Sequence, residues 1–505
     1  MSSQDLYDLY AILGVSSHAS QEDIKSAYRT AARRFHPDAN PHEGAALQFR
    51  DIAAAYETLS DTTTNVAYQR TYKKIANLKT SFSTQLFTSK RILPILEEAQ
   101  IVYVLLEISP DSPEAKEKKG LLEEPVKKRH PLNIGLVLDR SSSMRGIRLE
   151  RVKVAAHQIL EQLTPSDRLC IVSFSDYADV LVPSERVTDP GKIKSVVNTM
   201  SAGGATAIYQ GLLAAYEQVK QNFSRNNVNH IILITDGRTY GDEAMALELA
   251  NESRDTGIGI SAMGMGDEWN DEFLDELASR TGGSSTYITS PSAVTEFLDD
   301  RIRSLGGAFA ERLQLTVAPD ADVELELAFK IKPNAQPLNF DTQPIQLGTL
   351  EGTRSMNILL QFQMPAKMDA GFRTIARLDV TGDILGETQR IEYKSINDQS
   401  IEVSENSTPE DPPKKILDAL GKLTLYRLQQ RAEKAINSGQ LNLATKRLEN
   451  LATRLVENGQ PELAAQARAE AQRVASTKVL SEEGRKSLKF GTRLLLAAPA
   501  TKEME

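Results

Sequence analysis

Several hydrophobic patterns succeed one another along the chain. Near the N-terminus, apolar residues recur every three or four positions: Ile24, Ala27, Tyr28, Ala31 and Ala32, then Phe49, Ile52, Ala53, Tyr56 and Leu59. That spacing predicts two amphipathic helices. Between them stands Phe35-His36-Pro37-Asp38. Pro37 disfavours helix at His36, so the chain must turn there. The expectation over residues 1–78 is an all-helical module built on an antiparallel hairpin. Lys25, Arg29 and Arg33, four apart, form a basic face on its first arm.

Residues 83–128 and 308–405 read as β-rich. Alternation in Arg312–Val317 and Val323–Leu327 predicts half-buried antiparallel strands. Further strand-like runs are Gln100–Ile108, Ile345–Leu347, Asn357–Gln363, Thr374–Val380 and Gln389–Tyr393. Between the two β-rich parts, over 129–307, short apolar runs alternate with amphipathic helices: Asn133–Asp139, Leu169–Phe174, Ile231–Thr235 and Ile258–Met263. Such alternation predicts a doubly wound α/β domain with a mostly parallel sheet, binding ligands at the carboxyl ends of its strands. With strands on both sides, this domain is expected to be inserted in one discontinuous β-sandwich.

Helical periodicity returns over 413–494. Asn437-Ser438-Gly439-Gln440-Leu441 is echoed 20 residues later by Glu457-Asn458-Gly459-Gln460-Pro461. Gly439 and Gly459 read as helix stops in a small C-terminal bundle of helical hairpins. These helices are reminiscent of tetratricopeptide repeats without their period or aromatic signature. They either pack against the sandwich or form an interaction platform. Pro110–Arg129 reads as an exposed loop, Val403–Pro413 as a linker and Pro499–Glu505 as a frayed tail.

Length and composition agree with this multidomain picture. The 505 residues suffice for three or four domains. A single Cys, Cys170, excludes an intrachain disulfide framework and any all-Cys zinc site, and suits a reducing, cytoplasmic compartment. No secretory leader and no membrane insertion are expected. The net charge is −9, from 59 Lys and Arg against 68 Asp and Glu. It argues against nucleic acid as a whole-chain partner. The C-terminal stretch carries 16 basic and 8 acidic residues, read as solvated helix faces.

Two constellations carry candidate chemistry. The first is the string Tyr10-Ala11-Ile12-Leu13-Gly14-Val15, Ile24-Lys25-Ser26-Ala27-Tyr28-Arg29, His36-Pro37-Asp38 and Phe49–Asp61. In order and spacing it resembles a J domain. The resemblance implies docking to a DnaK-type chaperone ATPase through Lys25, Arg29, Arg33, His36, Pro37 and Asp38. Asp38 would perturb the partner's catalytic machinery. The chain has no GxxxxGK[ST] loop of its own, no Gly/Phe-rich stretch and no zinc finger of the DnaJ type, so another module is expected to select the client.

The second constellation lies at the strand ends of the central segment: Asp139, Ser141 and Ser143 as D-x-S-x-S, Thr206 after Gly203-Gly204-Ala205, and Asp236 after Thr235. Carboxylate and hydroxyl oxygens without Cys or His suit a hard cation such as Mg2+, or Mn2+ or Ca2+ in its place. The set resembles a von Willebrand factor type A domain, a Rossmann-like fold, with its metal-ion-dependent adhesion site. Ser142 stands where the family commonly has Gly. The resemblance implies direct ligation by Ser141, Ser143 and Thr206. Asp139 and Asp236 would act partly through water, with an open position for an acidic side chain of a protein ligand. Asp242, Glu243 and Asp267 read as solvated loop charges, Trp269 as a half-buried anchor, and His157 and His230 as satisfied structural residues.

No H-E-x-x-H or G-x-S-x-G motif is present, and no plausible nucleophile–base pair. The reading is a non-enzymatic co-chaperone that brings a chaperone ATPase to a protein held at the metal site. A scaffold subunit working with an AAA-type ATPase in complex assembly or metal insertion is the rival, and an unrecognised hydrolase a third class.

Overall fold

The computed structural model describes residues 8–16, 18–75, 81–110, 129–239, 241–266, 268–288, 291–386, 390–406 and 410–497. The body of the Pro110–Arg129 loop, Asp267, the middle of the 403–413 linker and the Pro499–Glu505 tail lie outside them. The chain divides into two compact units, residues 1–128, 307–330 and 337–416, and residues 129–306, 331–336 and 417–505.

In the first unit, α1 (Leu9–Leu13) starts on an Asp8 cap and stops at Gly14, which takes φ 70°. A capping box between Ser20 and Asp23 opens α2 (Gln21–Phe35), and His36 turns extended ahead of Pro37. The chain returns as α3 (Glu43–Ser60), followed by α4 (Thr62–Ile75). Ile24, Phe35, Ile52, Ala55 and Leu59 are buried between the helices, and Tyr28 stacks on Tyr56 with ring centroids 4.2 Å apart.

The β-rich parts form two five-stranded sheets. Ahead of the α/β segment come β1 (Phe82–Thr88), β2 (Ile92–Pro94) and β3 (Gln100–Pro110). After it come β10 (Ala308–Pro319), β11 (Glu324–Lys332), β12 (Gln336–Pro337), β13 (Ile345–Glu351), β14 (Met356–Met364), β15 (Gly371–Leu385) and β16 (Arg390–Ser404). The orders are β1-β3-β14-β11-β12 and β13-β10-β15-β16-β2, so strands from both sides of the α/β segment share each sheet. Alternate side chains such as Val104, Leu106, Leu315, Val317, Ile358, Leu360, Leu378 and Val380 fill one core between them.

The N-terminal helices pack on this sandwich. Asn40 Nδ2 donates to Pro319 O (3.0 Å) and Arg377 Nη1 to Ile12 O (3.0 Å). Arg377 also grips Asp398, while Lys394 sits between Asp51 of α3 and buried Asp379. Gly44 lies so close to β10 that a β-carbon there would stand 1.8 Å from Val317 O.

In the second unit a six-stranded sheet runs β6-β5-β4-β7-β8-β9. Its strands are β4 (Leu132–Asp139), β5 (Arg168–Phe174), β6 (Ala178–Arg186), β7 (Val228–Thr235), β8 (Gly259–Met265) and β9 (Ser285–Ile288). Only β6, an edge, is antiparallel. Every residue of β4 and β7 is buried, as expected of central strands covered on both faces. The covering helices include α5 (Ile147–Gln162), α6 (Pro190–Asn198), α7 (Ile208–Gln221), α8 (Glu243–Thr256), α9 (Asp271–Ser279) and α10 (Pro291–Gly306). The edge strands β6 and β9 escaped the sequence pattern: one is half-exposed and the other four residues long.

The C-terminal helices are α11 (Lys414–Asn437), α12 (Leu441–Glu457), α13 (Pro461–Thr477) and α14 (Glu482–Ala497). Gly439 and Gly459 take φ 73° and 70° and end α11 and α12. The sequence leaves two alternatives for these helices, packing on the sandwich or an interaction platform; the last helix instead packs on the α/β domain, burying Phe490 beside Trp269 and Tyr287. Among the described residues, no helix is long and apolar enough to cross a membrane.

Candidate docking loop and metal centre

The turn between α2 and α3 is closed by its own backbone. Ala39 N and Asn40 N both donate to His36 O (2.9 Å), and Asp38 N donates to His36 Nδ1 (3.1 Å). The His36 ring meets Phe49 edge-on at 5.0 Å, which fixes the imidazole. Asp38 is left pointing outward with its side chain 92 % exposed. Lys25, Arg29 and Arg33 are exposed along α2. Arg34 faces the other way, towards Asp320 and Asp398 of the sandwich. The packed face and the basic face of α2 are thus different faces.

In the second unit the predicted oxygen ligands converge at the carboxyl ends of β4 and β7. Asp139 is fully buried at the end of β4. Its Oδ1 accepts from Ser141 N (2.8 Å) and its Oδ2 from Thr235 Oγ1 (2.6 Å). Burial pushes the Asp139 carboxyl above its ordinary range and the Asp236 charge adds to this, against the hydrogen bonds from Ser141 and Thr235. Ser141 Oγ and Ser143 Oγ are 3.0 Å apart, and Ser143 Oγ donates to Asp236 Oδ1 (2.7 Å). Arg148 Nη1 donates to Asp236 Oδ2 (2.6 Å).

Thr206 arrives from the loop before α7. Gly203 N donates to Arg140 O (2.8 Å) and Ser142 N to Gly204 O (3.0 Å), tying that loop to the D-x-S-x-S turn. A β-carbon on Gly237 would lie 2.9 Å from Thr206 Oγ1, so glycine after Asp236 lets the two loops close. All five residues named from sequence are therefore brought together.

These donors fit a hard cation. All are carboxylate or hydroxyl oxygens, the ligand type such a cation takes, and hydrogen bonds of 3.0 and 2.7 Å join Ser141 to Ser143 and Ser143 to Asp236. The five residues offer no nitrogen or sulfur ligand.

Four residues outside the five candidate ligands also hold the site: Arg148, Thr235, Asp176 and Thr239. Asp176 Oδ1 accepts from Ala205 N (3.0 Å), and Thr239 Oγ1 lies 3.1 Å from Thr206 O. Of these, Thr235 had a sequence signal, being adjacent to Asp236 at a strand end.

Four expectations need correction, those for Asp242, Glu243, His157 and Trp269. Asp242 is not a solvated loop charge: it is buried and accepts from Tyr209 N (2.8 Å) and from the Thr239 hydroxyl, bracing the Thr206 loop. Glu243 is half-buried and accepts from Asn270 Nδ2 (3.0 Å). His157 Nε2 is buried with no hydrogen-bond partner among the described residues. His230 is a structural residue as expected, with Nε2 3.0 Å from Ser261 Oγ. Burial first, and then the Arg301 charge, hold it neutral.

Trp269 is fully buried rather than half-buried. Its Nε1 donates to Gly266 O (2.8 Å), and Lys486 Nζ of α14 donates to its carbonyl (2.6 Å). Arg485 and Lys489 pair with Asp271, and Arg493 with Asp275. Burial alone would raise the Asp271 carboxyl, but the Arg485 hydrogen bond and the Lys489 charge hold it at about 2. Arg238, two residues past Asp236, donates to Glu268 O (2.9 Å). Glu268 and Trp269 thus link Arg238, two residues past Asp236, to Lys486 of α14.

Comparison with known proteins places three modules on the chain: a DnaJ domain over residues 8–69, a von Willebrand factor type A domain over 133–300, and an Sll0103-like, C-terminal alpha-helical domain over 414–498. A protein of Synechocystis sp. described as uncharacterized protein sll0103 is 28% identical over 382 residues, covering 74% of this chain and 90% of that protein. The chaperone protein DnaJ of Cyanothece sp. is 54% identical over 63 residues, which span 12% of this chain and 17% of the relative. The solved structure of a von Willebrand factor type A protein from Catenulispora acidiphila superposes with a TM-score of 0.64 at 16% identity. It covers 82% of this chain and 97% of that one, a likeness of fold alone.

Proposed function

We propose that this chain is a non-enzymatic J-domain co-chaperone that stimulates a DnaK-type chaperone ATPase and presents to it a protein held at a Mg2+-dependent site of the von Willebrand A domain. The observation that carries the reading is the exposed Asp38 beside the exposed Lys25, Arg29 and Arg33, on a J domain whose other face is occupied by the sandwich. A basic face of this kind steers association with an acidic patch. His36 and Pro37 hold the loop, and Asp38 acts on the partner.

At the metal site Ser141, Ser143 and Thr206 would hold the ion directly, with Asp139 and Asp236 behind them partly through water; Mn2+ or Ca2+ could replace Mg2+. The bound ion supplies a Lewis-acidic position for a carboxylate of the protein ligand. In this reading the modules are residues 1–78 (J domain), 83–128 with 308–405 (sandwich), 129–307 (von Willebrand A domain) and 413–494 (helical bundle). The place of work is the cytoplasm, which suits a lone buried cysteine.

Single-turnover ATP hydrolysis by a DnaK-type chaperone tests the first half: the chain accelerates it and Asp38→Asn abolishes the acceleration. Equal stimulation by the variant defeats the co-chaperone reading. Affinity capture with and without EDTA tests the second half. Asp139→Ala is expected to lose, at least tenfold, the partner that EDTA also removes; retention of that partner defeats the metal-dependent binding.

A further inference from the structure

Arg148 is the charged group at the metal site that this function leaves unused. It lies in the first turn of α5, five residues past Ser143. Its Nη1 donates to Asp236 Oδ2 (2.6 Å) and reaches Ser143 O (3.5 Å). Asp236 is fully buried and, among the described residues, this guanidinium is the cation paired with it, whereas the Arg148 side chain is 34% exposed. Its other side rests on Gly266, where a β-carbon would stand 3.3 Å from Nη2. The Gly266 carbonyl is fixed by Trp269 Nε1 (2.8 Å). A buried carboxylate with no cation is costly, and a guanidinium is charged at any working pH.

Building on the metal-site reading above, we propose that Arg148 is the resident counter-cation of the site: it pairs with Asp236 and so competes with the divalent ion for that carboxylate. The charge balance gives the consequence. Asp139 and Asp236 supply two negative charges, which a divalent ion neutralises. Arg148 then leaves the centre with one positive charge, which the carboxylate of an acidic ligand removes. Arg148 therefore holds metal affinity low in the isolated protein and couples metal loading to arrival of the acidic ligand, each strengthening the other by the same factor.

Isothermal titration of the full chain with MgCl2 alone tests this. Arg148→Gln is expected to tighten Mg2+ binding about tenfold, the scale of removing one like charge from a half-buried site. Arg148→Lys keeps the charge and stays within about threefold of the parent on the same scale. Arg145→Gln, an exposed charge three residues earlier, leaves binding unchanged, and Asp139→Ala abolishes it. An unchanged or weaker affinity in Arg148→Gln, or an equal gain in Arg145→Gln, overturns the counter-cation role. If the parent binds Mg2+ and Asp139→Ala does not, that result leaves the metal site itself standing. If neither the parent nor Arg148→Gln binds Mg2+, both readings fall.

Discussion

Single residues set tolerances that no element-level pattern would reveal. Gly44 begins α3 where the helix meets the carbonyl of Val317, and a methyl group there would overlap backbone rather than a movable side chain. Gly44→Ala is expected to cost about 1–3 kcal/mol, read as a lower midpoint in urea denaturation. Gly421, inside α11 with open space around it, is the control, where Ala should be neutral or stabilising by up to about 1 kcal/mol. Asp139, Ser141, Ser143, Thr206 and Asp236 could be named from sequence because they stand in short oxygen-rich loops whose order matches the von Willebrand A resemblance. Arg148 and Asp242 could not, since one reads as an ordinary helix charge and the other as a loop charge. Only the folded loops give them Asp236 and the Thr206 loop to act on.

Helix α14 shows the same gap at the scale of an element. The sequence places its Arg485, Lys486, Lys489 and Arg493 among the solvated charges of a basic tail, and the side chains of Lys486, Lys489 and Arg493 are instead buried or nearly so. Amphipathic spacing identifies a face but not whether water or Asp271 and Asp275 will meet it. The glycine echo, a local property, was legible for the opposite reason. The paired charges make a pH prediction. The Asp271 carboxyl titrates at about 2 in the folded protein against 3.8 ordinarily. A depressed carboxylate stabilises above its unfolded value and loses that contribution as pH falls through the folded one, here about 2 kcal/mol between roughly pH 4 and pH 2. Trp269 is the only tryptophan in the chain and lies under Lys486. Its fluorescence is therefore expected to report the loosening of α14 as a red shift in that window, and Asp271→Asn should show the red shift already at pH 7.

At the scale of the whole chain, the class of each segment was readable because each carries its own period: two for the sandwich, near four for the helices, and unbroken apolar runs for the buried parallel strands. How the J domain joins its neighbour was not. It depends on contacts between residues hundreds of positions apart, such as Asn40 with Pro319 and Ile12 with Arg377. Arg377 is nearly buried and binds Ile12 O, Asp398 and the face of Phe35 together. Arg377→Ala is expected to raise amide hydrogen exchange in α1 and α2 at least tenfold while leaving the exchange of β14 unchanged. Equal protection in both proteins would show that these bonds do not hold the J domain.

The Gly44 contact has a mechanical meaning. A J domain on a flexible leash lets its chaperone wander through a volume set by linker length. Here a chaperone engaging Asp38 would be mounted on a bracket. Any load it applies there passes through α3 into the backbone of β10, so the direction of the pull is built into the fold.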